Sequence, residues 1–192
     1  MRITLVLLLA VAVAAATFVA VRRAPDDDAD SAKGAVTLVG DSLNVGVEPY
    51  LEDALPGWRV DAHDEIGRAT REGITELRAR RTKLAPVVVV SLGTNDAEGT
   101  EDEFRALVDD AIRVVGPNRC LVWATIVRDG EERTGFDDVL RDAVAEHPNV
   151  QLAEWASLVS GDPTLLAGDR VHGTPEGYAR RAEETARAIR AC

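Results

Sequence analysis

The chain has 192 residues, 46% of them hydrophobic and 29% charged, enough for one domain with a real core and unlike a disordered or multiply membrane-spanning composition. Its 22 Lys and Arg against 33 Asp and Glu leave a net charge of −11, the wrong sign for gripping a phosphate backbone, which argues against nucleic acid as a partner. Two cysteines make neither a disulfide-dense scaffold nor a zinc site, so no metal is expected.

From Ile3 to Val21 the chain is uncharged and rich in Leu, Val and Ala, with Arg2 before it and Arg22 and Arg23 after it. Residues 1–23 read as an export segment, and two outcomes stay open, a cleaved signal peptide or an uncleaved single membrane anchor. Residues 24–33, with Pro25 and the acidic run Asp26, Asp27, Asp28 and Asp30, read as a solvated tether. The domain is expected over residues 34–192, outside the cytoplasm, secreted or anchored to the outer face of the membrane. In that compartment Cys120 and Cys192 are able to pair, the alternative being a buried thiol and a frayed tail.

Short apolar runs then alternate with amphipathic stretches. Strands are predicted at Ala35–Val39, Trp58–Ala62, Pro86–Leu92, Cys120–Ile126 and Val150–Leu152, and helices at Val45–Leu55, Thr70–Arg81, Glu101–Val115, Phe136–Glu146 and Pro175–Arg190. The run Val87-Val88-Val89-Val90 has no polar alternation, as a parallel strand buried on both faces requires. The βα alternation predicts an α/β fold with a parallel sheet, helices on both faces and functional groups at the carboxyl ends of the strands.

The chemistry-bearing residues fall at those ends. Gly40-Asp41-Ser42-Leu43 puts a serine between the first strand and a helix start, where backbone N–H groups are able to stabilise an oxyanion. Gly93-Thr94-Asn95-Asp96 follows the third strand and offers a neutral amide donor. Gly168-Asp169-Arg170-Val171-His172 precedes the last helix and supplies a base with a carboxylate three residues away to fix its tautomer. Gly67, after the second strand, offers a backbone N–H with no side chain in the way. Each fragment alone is equally a helix cap or a turn. The Gly-x-Ser-x-Gly elbow of α/β-hydrolases is absent, because Asn44 stands at its second glycine. His63 and His147 have no such partners and read as structural or exposed.

Taken in order, these four blocks resemble the SGNH, or GDSL, hydrolase superfamily. The resemblance spans nearly all of residues 34–192. It implies a flavodoxin-like three-layer α/β/α sandwich of about five parallel strands. It also implies Ser42 as nucleophile, His172 as base, Asp169 as its partner, an oxyanion hole from the Ser42 N–H, the Gly67 N–H and the Asn95 amide, and no cofactor. The reaction implied is acyl transfer through a serine ester, with small acyl esters or acylated glycans as substrates. Transfer to a cell-wall or surface polysaccharide is the alternative, because the domain is also similar to the extracellular domains of cell-wall O-acetyltransferases.

Trp58, Trp123 and Trp155 are candidates for a sugar subsite as well as for core filling, and Arg128–Gly135 is a candidate cleft wall. A non-catalytic binding domain on the same fold is a second class of function, opposed by the intact Ser42, Asn95, Asp169 and His172. A nucleotide-binding domain would need a phosphate loop, and Gly40–Gly46 lacks its lysine. The sequence gives no oligomeric state, and a monomer is assumed.

Overall fold

Five of the apolar runs become one sheet. The computed structural model describes residues 34–96 and 98–192, so the predicted export segment (1–23) and predicted tether (24–33) lie outside the described residues. Among the described residues no helix is long and apolar enough to cross a membrane. The strands are β1 (Gly34–Gly40), β2 (Trp58–Ala62), β3 (Val87–Ser91), β4 (Cys120–Ala124), a two-strand antiparallel hairpin of β5 (Val127–Arg128) and β6 (Glu131–Glu132), and β7 (Val150–Ala153). The main sheet runs β2-β1-β3-β4-β7, every pair parallel. Helices α1 (Ser42–Ala54), α2 (Thr70–Ala79), α3 (Glu101–Val115), α4 (Thr134–Glu146), α5 (Trp155–Gly161) and α6 (Pro175–Arg190) complete the alternation. This is the flavodoxin-like doubly wound order that the resemblance implied, built on the parallel sheet that the alternation predicted.

The four valines of β3 explain the layering. Val88 and Val90 pack with Ile74 and Leu77 of α2, Phe104 and Val108 of α3 and Val139 of α4. Val87 and Val89 point the other way, onto Val47 and Leu51 of α1 and Ala182, Ala186 and Ile189 of α6. Each fully buried aliphatic side chain contributes roughly 1.5–3 kcal/mol, so this central strand anchors both cores.

Three predicted elements keep their limits: β2, α3 and α6. Helix α1 starts earlier than its apolar spacing suggests, because Asp41 caps it, its Oδ1 accepting from the Leu43 N–H at 3.0 Å. Strand β4 stops at Ala124, since the chain then turns into the hairpin. The hairpin, α5 and the 3₁₀ turn Pro163–Leu165 are too short to show a period and were not foreseen.

Strand order brings the loops with the candidate residues together. β1 and β3 are neighbours, Gly40 level with Ser91, and the chain leaves them towards opposite faces, which opens a crevice at their carboxyl ends. The Asp41 N–H donates to the Ser91 carbonyl at 3.1 Å and carries the ladder one step past the sheet.

Candidate active site

Ser42 is the first residue of α1, held at the crevice by the Asp41 cap. The hydroxyl Oγ lies 2.9 Å from His172 Nε2, although the two residues are 130 positions apart. His172 Nδ1 lies 2.7 Å from Asp169 Oδ2. Asp169 Oδ1 in turn accepts the N–H groups of Val171 and His172, each at 3.0 Å. The hydrogen bond from His172, followed by those two N–H groups, holds the Asp169 carboxyl down at about 2, so it is an acceptor throughout the neutral range.

The loop that carries this pair is fastened by its own backbone. The Ala167 N–H donates to the His172 carbonyl at 2.7 Å, and Thr174 caps α6 by accepting from the Gly177 N–H at 3.1 Å. Arg170 sits in the left-handed region at φ 60, a conformation that costs about 1–2 kcal/mol for a side chain with a Cβ. Its carbonyl accepts from the Gly130 N–H at 2.8 Å, which ties the loop to the β5–β6 hairpin. The same hairpin region grips the loop after β3: Arg128 Nη1 donates to the Thr94 carbonyl at 2.9 Å, and Arg133 Nη1 to the Gly93 carbonyl at 2.8 Å. The segment Arg128–Gly135 thus braces two loops of the site against each other.

The three other candidate groups lie on the same rim. The N–H groups of Ser42 and Gly67 have no acceptor among the described residues. Gly67 has φ 81 and open space where a Cβ would point, so only glycine presents this amide without strain. Asn95 is exposed at the lip, and its Nδ2 donates to Asp41 Oδ2 at 3.0 Å and to the Arg68 carbonyl at 3.1 Å. Both protons of that amide are engaged, the second by a neutral carbonyl.

Buried charge surrounds the rim. Asp41 is fully buried, and burial raises its pKa against the opposing pull of the Leu43 N–H, Arg181 and His172. Asp64 accepts from Asn44 Nδ2 and is pushed up to about 7, first by burial and also by Glu48. Arg68 pairs with Glu65 at 3.0 Å. It also turns inward to the carbonyls of Gly40 and His63. Arg181 of α6 lies behind Ser42, its Nη2 donating to Ser91 Oγ at 2.8 Å. Sequence reading missed Arg181, because a charged residue in an amphipathic helix reads as solvent-facing.

The tryptophans do not form a sugar subsite. Trp123 and Trp155 are fully buried, Trp123 donating its Nε1 to the Leu92 carbonyl, and Trp58 packs against Gly34 at the opposite end of the sheet. His63 lies beside Asp61 and His147 closes α4, so neither shares the Ser42 site. A depression of about 520 Å³ opens beside Asn95, with Arg71, Asp96 and Phe136 among its walls. Among the described residues no cluster of three or more His, Cys, Asp or Glu is placed to hold a metal ion.

The fold is that of the SGNH/GDSL hydrolases. The structure is similar to the C-terminal catalytic domain of the peptidoglycan O-acetyltransferase of Streptococcus pneumoniae, solved with a methylsulfonyl adduct. The TM-score is 0.69 at 20% identity, covering 83% of this chain and 93% of that one. A lipolytic G-D-S-L family protein of Veillonella parvula aligns with TM-score 0.69 at 15% identity, over 81% of this chain and 98% of that one. A family 3 carbohydrate esterase of Clostridium thermocellum gives 0.67 at 16%, over 81% and 94%. In sequence the chain is 29% identical over 163 residues to the peptidoglycan O-acetyltransferase OatA of Listeria monocytogenes. That match covers 80% of this chain and spans 24% of the relative's length. No family model matches the chain.

Proposed function

We propose that this domain cleaves short-chain O-acyl esters through a serine acyl-enzyme. The observation that carries the reading is the unbroken hydrogen-bond chain from Ser42 Oγ through His172 to Asp169. His172 Nε2 takes the hydroxyl proton as Oγ attacks the ester carbonyl carbon, while Asp169 stabilises the imidazolium. The carbonyl oxygen becomes an oxyanion facing the N–H groups of Ser42 and Gly67 and the Asn95 amide. The amide proton shared with the Arg68 carbonyl is the one free to transfer its bond, since the other is held by a carboxylate. Collapse expels the alcohol, which leaves with the proton from His172. Water, deprotonated by the same nitrogen, then attacks the acyl carbon, and the acid departs as Oγ is reprotonated.

A second reading changes only the acceptor. The Listeria and Streptococcus relatives are both named peptidoglycan O-acetyltransferases, which favours a glycan hydroxyl in place of water and an acetyl group as cargo. The Cys120–Cys192 disulfide and the apolar residues 3–21 support a place outside the cytoplasm for either activity, secreted or membrane-anchored.

The test is acid release from an aryl acetate by the purified chain beside Ser42→Ala, with and without an oligosaccharide acceptor. Ser42-dependent release is expected, and diversion of acetyl to the sugar selects the transfer reading. Absence of both turnover and fluorophosphonate labelling at Ser42 overturns the proposal in favour of a binding domain.

A further inference from the structure

A buried cation behind the nucleophile needs a reason. Arg181 is only 3% exposed, and removing a guanidinium from water is costly unless nearby charge and hydrogen bonds compensate. Its direct contacts compensate little. Nη2 donates to Ser91 Oγ, the group lies 5.0 Å over the Trp155 ring, and Nη1 has no partner among the described residues. Burial pulls the guanidinium down to about 10, and Asp41, then Tyr178, are the groups that oppose the fall.

Asp41 is the complementary puzzle, a buried carboxylate whose two oxygens are spent on the Leu43 N–H and the Asn95 amide. The two charges flank the end of β3: Arg181 reaches the Ser91 side chain while the Asp41 N–H donates to the Ser91 carbonyl. We propose that Arg181 is a positioning residue that, by its charge, holds Asp41 ionised, and that ionised Asp41 holds the Asn95 amide with Nδ2 rather than Oδ1 towards the reacting carbonyl. A carboxylate only accepts, so Asn95 must present its N–H groups to it. A neutral carboxyl is able to donate to Oδ1 instead, and the amide is then free to turn over, removing the oxyanion donor. Other charges face Asp41 as well. His172 acts from the loop before α6 and Tyr178 from α6 itself, while on the β2 side Arg68 meets the Gly40 carbonyl and Asp64 the Asn44 amide.

The inference rests on the oxyanion role proposed for Asn95, so its test has a readout apart from turnover. In the isotope-labelled full-length chain in detergent, the Asp41 carboxyl carbon and the Asn95 side-chain amide are followed by NMR as pH is varied. The variants are Arg181→Met, Arg181→Gln, which keeps a donor for Ser91 without the charge, and Arg181→Lys. Removing the charge is expected to move the Asp41 midpoint upward by on the order of one unit. The Asn95 signals should change at that same midpoint, and Arg181→Lys should restore both. In turnover, kcat should fall with KM little changed, and Arg181→Gln should cost nothing further in an Asn95→Ala background. An unmoved Asp41 midpoint in a folded Arg181→Met or Arg181→Gln chain overturns the proposal. Asn95 signals that ignore the Asp41 titration overturn it in the wild-type chain alone. Loss of Ser42-dependent turnover in the wild type is a separate result, which refutes the esterase reading while the titration still decides on Arg181.

Discussion

The two ends of the sheet are built to opposite rules. At the carboxyl end, Ser42, Asn95 and His172 sit over carboxyls that ionise reluctantly: burial raises Asp41, Asp64 and Asp137, the last to about 8. At the amino end the chain is tied down. The Cys120–Cys192 disulfide joins the start of β4 to the turn after α6, and Asn149 Nδ2 donates to the Arg119 carbonyl at 2.8 Å. Arg119 in turn donates to the Val115 and Leu84 carbonyls, and Arg190 to that of Ala54. The larger surface depression, about 690 Å³, lies over this tied end and holds no nucleophile, so cavity size is a poor guide to chemistry here. One end keeps costly polar groups in fixed orientations, and the other supplies constraint that offsets them.

That contrast can be broken by experiment. Ser42→Ala and His172→Ala should each lower turnover by several orders of magnitude while leaving the unfolding temperature close to that of the parent chain. A rate that survives His172→Ala would remove the base from the mechanism. Asn95→Ala should cost roughly 10²- to 10³-fold in kcat, the usual loss for one oxyanion donor, and an unchanged rate would dismiss its assigned role.

At the tied end the effects should reverse. The disulfide closes a loop across 72 positions, so Cys120→Ser with Cys192→Ser should lower stability by about 4 kcal/mol, read by denaturant unfolding, with specific activity of the folded chain retained. A large loss of kcat without loss of stability would show that the two ends are not independent.

The smallest effect tests the cost of the rim. Asp137 Oδ1 accepts from the Ile126 N–H at 2.9 Å, and burial, the first cause, raises the carboxyl to about 8, with Glu132 adding to the rise. A carboxyl with a raised folded pKa favours the fold fully below its unfolded value, and that contribution is lost as pH rises through the folded one. Stability should therefore decline between about pH 4 and pH 8. Asp137→Asn keeps the Ile126 bond and should flatten the decline, raising the unfolding temperature at pH 8 by roughly 2–4 °C. A slope identical to that of the parent chain would place the pH dependence elsewhere, with Asp64 the next group to change.

Much of this was legible in the residues. Valine runs and helical spacing determined a parallel sheet with both faces covered, because side-chain period and branching act locally. Ordered short motifs placed a serine, an amide and an Asp-x-x-His pair at strand ends, because turns and caps have local chemistry as well. What the sequence did not determine was set by long-range packing. Only the strand order β2-β1-β3-β4-β7 brings Ser42 within 2.9 Å of His172 across 130 positions. Only burial turns Arg181, Asp41 and Asp137 from ordinary surface-type residues into ionisable groups whose surroundings govern their ionisation. Charge takes its meaning from the dielectric and partners around it, and those exist once the layers have closed.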